Sequence, residues 1–192
     1  AGTGRTLWST AGRPYWEGMI ALGDPVVDEH SIYFTGTSAD PHSLNNDRLE
    51  CVVFCADKSD GSLRWGRMAG WVRPYLRPGK PSGNARMPGF NARLTLADGK
   101  LYTVSGNGLI VCQDSRDGMP IWVRNEIGFD PMPGGADPFM HRPNHFAIVH
   151  KDLLVVAPRD RPGVAVLDRH SGARRWDHPW LPSGTLKILK RE

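Results

Sequence analysis

The chain has 192 residues, 40% of them hydrophobic and 23% charged, which suffices for a core and is unlike a disordered chain. Glycine (22) and proline (16) are too frequent for a helix bundle, because both damage helix interiors. Apolar runs such as Leu153 to Ala157 fall far short of the roughly 18 residues a membrane-spanning helix needs. No secretory signal is visible and the chain begins with Ala, which reads as a processed product or a piece of something longer.

In chain order, the first pattern is Thr3-Gly4-Arg5-Thr6-Leu7-Trp8, a short turn followed by a tryptophan. Val26-Val27 with Ile32-Tyr33-Phe34 then reads as a hairpin, and Val53-Phe54-Cys55-Ala56 as a short strand buried on both faces. Cys51 and Cys55 on one strand would stand roughly 13 Å apart, too far for a disulfide. With Cys112 they make an odd count and read as small core residues. Asp57, Asp60-Gly61 and Trp65 follow, repeating the opening pattern.

The net charge is +4 but unevenly placed. Residues 1–63 carry nine acids against four bases, whereas residues 64–93 carry Arg64, Arg67, Arg73, Arg77, Lys80, Arg86 and Arg93 and no acid. Interleaved with Trp65, Trp71, Tyr75 and Phe90, this segment suits an anionic partner such as nucleic acid, an acidic protein or a lipid headgroup. The plainer reading is a solvated loop paired with the acidic first third. Long connections are expected at Thr37 to Arg48 and Arg67 to Arg93. The Arg-Pro and Lys-Pro steps of the second favour extended backbone that displays its cations. Arg67, Arg73, Arg77, Lys80 and Arg86 are therefore the candidate contact surface.

Leu94-Thr95-Leu96, Ala97-Asp98-Gly99 and Lys100 to Val104 read as a second hairpin, followed by the strand Ile110 to Gln113 and by Asp114, Asp117-Gly118 and Trp122. His141, His145 and His150 lack a regular zinc spacing and read as solvated. Ala147 to Val149 with Leu153 to Val156 forms a third hairpin, then Val164 to Leu167 a strand, then Asp168, Ser171-Gly172 and Trp176. Trp16, Trp71 and Trp180 lie outside this phase and read as packed on sheet edges.

Trp8, Trp65, Trp122 and Trp176 are thus 57, 57 and 54 residues apart. A glycine precedes each by four residues, and Asp57, Asp114 and Asp168 precede the last three by eight. The glycine supplies the positive φ of a tight turn, and the aspartate accepts backbone N–H groups across it. A tryptophan recurring once per unit is suited to docking on the neighbouring unit. Four strands per unit and no helical period make the chain all-β, a β-propeller of four-stranded antiparallel blades. About three complete blades are expected, plus partial ones. The chain is one partial propeller domain over 1–192, with repeats near 9–65, 66–122 and 123–176. Residues 177–192 are a C-terminal extension or a strand of a further blade.

The run Asp57-x-x-Asp60-Gly61-x-x-x-Trp65 and its copies resemble the tryptophan-docking motif of the pyrroloquinoline-quinone-like propeller repeat family, over residues 1–176. That family includes quinoprotein dehydrogenases and the propeller lipoprotein of the bacterial outer-membrane barrel-assembly machinery. The resemblance implies a ring of seven or eight blades, closed by further blades or other chains. It also implies action outside the cytoplasm. Two functions follow from it: a non-catalytic scaffold binding partners through its loop faces, or part of an oxidoreductase using pyrroloquinoline quinone and calcium. The resemblance implies that the second uses an Asp base, an Arg near the quinone, a stacking Trp, oxygen ligands for calcium and often adjacent cysteines. The sequence has no adjacent cysteines and no Asp/Asn/Glu cluster outside the turn motifs. No cofactor or metal is therefore expected on this chain, and catalytic residues are unassigned.

Overall fold

The structure is a computed structural model that describes residues 4–21, 23–38, 49–72, 92–105, 108–125, 146–157 and 164–178. Its regular elements are strands, apart from a single 3-10 turn at Pro14–Trp16 among the described residues.

The first sheet contains β1 (Met19–Ala21), β2 (Val26–Val27), β3 (Ser31–Ser38), β4 (Leu49–Asp57) and β5 (Leu63–Val72). Its first strand is split. β1 pairs with the far half of β3 (Met19 opposite Ser38), and β2 with the near half (Val26 opposite Tyr33). The break falls at Gly23-Asp24-Pro25, where Pro25 offers no N–H to a ladder. A Cβ on Gly23 would lie only 2.4 Å from the Ala92 carbonyl oxygen, so this gap admits the backbone entering the second sheet. Thr35 Oγ1 donates to the same carbonyl at 2.8 Å. The expected hairpin at Val26-Val27 thus holds only half of the first strand, and the three-residue β1 was not anticipated.

The second sheet runs β6 (Arg93–Ala97), β7 (Lys100–Val104), β8 (Leu109–Asp114), β9 (Pro120–Asn125). The third runs β10 (Phe146–His150), β11 (Leu153–Ala157), β12 (Val164–Asp168), β13 (Arg174–His178). All neighbours pair antiparallel. One expected loop boundary is corrected: β5 continues to Val72, so Arg67 sits mid-strand, and the connection toward β6 starts beyond it.

The two-residue period of a strand explains how the middle sheet holds both neighbours. Leu94, Leu101, Leu109 and Val111 pack with Tyr33, Cys51, Val53, Cys55 and Trp65 of the first sheet. Tyr102, Val104, Ile110 and Cys112, on the opposite face, pack with Ala147, Leu154, Val156, Ala165 and Leu167 of the third. Strands apolar on both faces are what such a series requires. The result is an open run of antiparallel sheets stacked face to face, the blades of a β-propeller, and not a closed barrel.

Candidate functional site

The repeated turns between the third and fourth strand of each sheet hold most of the residues singled out by sequence. In each, the aspartate carbonyl accepts the glycine N–H: Gly61 to Asp57 at 2.8 Å, Gly118 to Asp114 at 2.9 Å, Gly172 to Asp168 at 2.8 Å. The aspartate side chain accepts the N–H two residues on, from Ser59, Arg116 and His170 respectively. These are local contacts, so residue type and spacing are enough to form them.

An arginine completes each turn, from two different places. Arg64 Nη2 meets Asp57 Oδ2 and Arg175 Nη2 meets Asp168 Oδ2, both at 2.6 Å. Arg64 and Arg175 directly precede the tryptophans, at positions skipped by a β-bulge in the last strand pair. The middle repeat has Ile121 there, and Asp114 is met instead by Arg116 Nη2 at 2.7 Å. The bonds from Ser59 and Arg64 hold the Asp57 carboxyl well below its usual range, and those from Arg175 and Ser171 do the same for Asp168. Arg116 lowers Asp114 to about 2.

Each of the first three tryptophans meets the glycine of the following repeat. A Cβ placed on Gly61 would stand 2.5 Å from the Trp8 ring, on Gly118 2.6 Å from Trp65, and on Gly172 2.8 Å from Trp122. These glycines have φ of +72°, +73° and +71°, so the position needs glycine for its backbone and for the ring above it. Trp8 Nε1 donates to the Lys58 carbonyl at 2.9 Å, and Trp122 Nε1 to the Arg169 carbonyl at 3.0 Å. Trp65 departs from this pattern: its Nε1 is buried without a hydrogen-bond partner among the described residues. Trp176 is 52% exposed.

Several residues act at these turns in roles that the sequence did not assign to them. Arg67 Nε donates to the Asp117 carbonyl at 3.2 Å, and Arg124 Nη1 to the Gly172 carbonyl at 2.8 Å. Both stand two residues after a tryptophan, a spacing visible in Trp65-Gly66-Arg67 and Trp122-Val123-Arg124. Trp16, 7% exposed, packs against Phe34 and Phe54 and donates its Nε1 to the Gly61 carbonyl at 3.3 Å. Gln113 Nε2 caps the Gly118 carbonyl at 2.9 Å. Because Trp16, Gln113 and Arg124 do one job from unrelated positions, no sequence period could reveal it. Arg169 Nη1 also reaches Asp98 Oδ2 at 2.6 Å, tying the third-sheet turn to the second-sheet hairpin.

Of the candidate contact surface, Arg67 is engaged between sheets as described; Arg64, in the same basic segment but outside that surface, is spent on Asp57. Arg73, Arg77, Lys80 and Arg86 lie outside the described residues, as do His141, His145, Trp180 and residues 179–192. His150 is an exposed residue at the end of β10. The three cysteines are buried and unpaired, and burial pushes the Cys51 thiol up to about 12 and that of Cys112 to about 11. Calcium takes six to eight oxygen ligands. No three His, Cys, Asp or Glu side chains converge among the described residues, so this part of the chain does not fit such an ion.

The family profile described as outer membrane protein assembly factor BamB matches residues 1–178. The chain belongs to the BamB family. Its units are propeller repeats of the pyrroloquinoline-quinone-like type, as the spacing of Asp57, Gly61 and Trp65 implied. No curated protein sequence matches it. Among solved structures it is similar to BamB from Moraxella catarrhalis, with 18% identity, a TM-score of 0.49, and coverage of 82% of this chain and 38% of that one. It is also similar to the quinohemoprotein alcohol dehydrogenase ADHIIG from Pseudomonas putida HK5 (18% identity, TM-score 0.50, 82% of this chain and 20% of that one). A third likeness is to the computationally designed protein Ika4 (12% identity, TM-score 0.51, 91% and 79%). The chain thus spans 38% of the length of the Moraxella BamB and a fifth of that of the dehydrogenase. At these identities the likenesses show the fold alone. No helix among the described residues is long and apolar enough to cross a membrane.

Proposed function

We propose that this BamB-family chain is a non-catalytic binding scaffold that works outside the cytoplasm and makes protein contacts through the loops at the ends of its sheets. One observation carries the reading: the side chains of the repeat that have chemical potential are consumed by architecture. Asp57, Asp114 and Asp168 are each held by turn N–H groups and an arginine, and Cys51, Cys55 and Cys112 are buried in the sheets. The family's description as an assembly factor supports the same view. Within it, Arg67, Arg73, Arg77, Lys80 and Arg86 are proposed as a contact surface for an acidic protein face, with binding that weakens as salt rises.

The test is outer membrane protein assembly in cells lacking the gene. Assembly is expected to fall, and to recover on expression of the gene without any supply of quinone. The purified protein, given calcium and pyrroloquinoline quinone, is expected to reduce no dye with alcohols or sugars. Quinone-dependent dye reduction would replace the scaffold reading with the oxidoreductase reading, which shared fold alone now supports.

A further inference from the structure

The imidazole of His170 lies at the joint of the second and third sheets, between charged partners from both. Its Nδ1 stands 3.2 Å from Lys100 Nζ, at the start of β7 in the second sheet. Its Nε2 stands 3.4 Å from Asp152 Oδ1, in the β10–β11 hairpin of the third sheet. Arg169 brings a second cation, with its Nε 3.4 Å from the same Nε2 and its Nη1 held by Asp98 Oδ2 of the second-sheet hairpin. The turn fixes the place of the ring, since the His170 backbone N–H donates to Asp168 Oδ1 at 3.0 Å. The Asp168 carboxylate is itself taken by Ser171 and Arg175. The ring is half exposed, so protons reach it from solvent.

The Lys100 contact decides which ring nitrogen carries the hydrogen. An ammonium has three donors and no acceptor, so a hydrogen bond from Lys100 requires the lone pair of Nδ1. The neutral ring then carries its hydrogen on Nε2, where it faces the Asp152 carboxylate. Both contacts are satisfied only in this form. Imidazole changes its charge between pH 5 and 8, and the added proton would set an N–H on Nδ1 against the ammonium. The Lys100 contact then becomes donor against donor and cation against cation, while the attraction to Asp152 grows. The joint between the first and second sheets has no such ring. Lys100 pairs with Asp114 in its ladder as Ser31 pairs with Asp57, and His170 follows Asp168 by two residues as Arg116 follows Asp114. Serine and arginine therefore stand there in place of lysine and histidine.

We propose that His170 is a pH-sensitive latch between the second and third sheets: the neutral ring accepts from Lys100 across the joint, and the protonated ring releases Lys100 and keeps Asp152 within its own sheet. Acid thus trades one bond between sheets for a stronger one inside a sheet. The charged groups around the ring among the described residues are Lys100, Asp98 and Asp114 from the second sheet and Asp152, Asp168 and Arg169 from the third. Asp114, opposite Lys100 in the ladder, offers the released ammonium a carboxylate. Other ties across the joint run from Trp122 to the Arg169 carbonyl, from Arg124 to the Gly172 carbonyl and from Thr95 to the Ala147 carbonyl. None of these three donors changes charge between pH 5 and 8, so the sheets stay stacked while this end of the joint loosens. The latch does not depend on whether the propeller serves as scaffold or enzyme.

Urea unfolding at pH 8 and at pH 5 tests it, on the parent chain, Lys100→Met, His170→Ala and the double variant. At pH 8 the two substitutions are expected to be coupled by about threefold in the unfolding constant, as for one partly exposed hydrogen bond. At pH 5 that coupling should vanish or reverse. His170→Gln serves as a lock, because its amide oxygen accepts from Lys100 at either pH. On that background Lys100→Met should have the same effect at both. Nitrogen-15 spectra of the parent give a second reading, with the His170 signals assigned by their loss in His170→Gln. At pH 8 the ring is expected to carry its hydrogen on Nε2. The proposal is overturned by an absence of coupling at pH 8, by coupling undiminished at pH 5, by a pH dependence that survives His170→Gln, or by a hydrogen on Nδ1 at pH 8.

Discussion

Trp122 lies so close over Gly172 that a Cβ on the glycine would stand 2.8 Å from the indole, while the indole N–H donates to the carbonyl of Arg169, three residues before that glycine. Ring, turn and hydrogen bond thus form one joint between the second and third sheets. Gly172→Ala forces both a left-handed alanine and a displaced ring. Its expected cost is about 2–4 kcal/mol, combining the backbone and overpacking effects. Gly12→Ala separates the two, since Gly12 has φ +74° and nothing described within 4 Å of its Cβ position. It should cost only about 1–2 kcal/mol, the backbone effect. Urea unfolding of both variants measures the difference.

The tryptophans should respond unequally to removal of the indole nitrogen. Trp122→Phe gives up a bond of 3.0 Å to the Arg169 carbonyl, worth about 1 kcal/mol. Trp65→Phe removes a buried N–H that has no described partner, so the same substitution forfeits no bond and relieves an unpaired donor. Chemical denaturation should therefore find Trp65→Phe the milder change. Equal losses at the two sites would contradict this.

Acid should loosen the turns within a defined window. The Asp114 carboxyl is lowered from 3.8 to about 2, chiefly by its bonds with Arg116, and the Asp57 and Asp168 carboxyls lie below their usual range too. A carboxyl depressed by folding stabilises the native state fully above its unfolded value, and that contribution is lost as pH falls from about 4 through about 2. Asp114→Asn should lower stability at pH 7 and narrow the fall in urea midpoint between pH 5 and pH 2. A variant as acid-sensitive as the parent would remove Asp114 from the explanation.

Thiol chemistry offers a fourth check. Burial holds the Cys51 thiol at about 12 and that of Cys112 at about 11, and raises that of Cys55. The reactive species is the thiolate, so a thiol reagent at pH 8 should label none of the three in the folded chain. All three should react in denaturant. Rapid native labelling would place a cysteine at the surface.

The apolar runs at Val53–Ala56, Ile110–Gln113 and Val164–Leu167 were legible as strands because their composition suits burial on both faces. β1 was not, because three residues carry no period, and β5 ran beyond its apparent end because Arg67 and Gly70 resemble loop composition. Trp16 was assigned to a sheet edge by its phase alone. Its bond to the Gly61 carbonyl joins residues 45 apart, at no spacing that recurs.

Turn chemistry is written along the chain, because Asp57 and Gly61 meet within five residues and need nothing remote to do so. The same holds for the period of the tryptophans and hence for the stacked four-stranded sheets. Which ring meets which turn is a relation across some fifty residues, created when sheets pack face to face. Packing also chose Trp16, Gln113 and Arg124 to cap three equivalent carbonyls and left the Trp65 indole N–H without a described partner. Those outcomes depend on the distance between neighbouring sheets, a quantity that no local pattern of residues encodes.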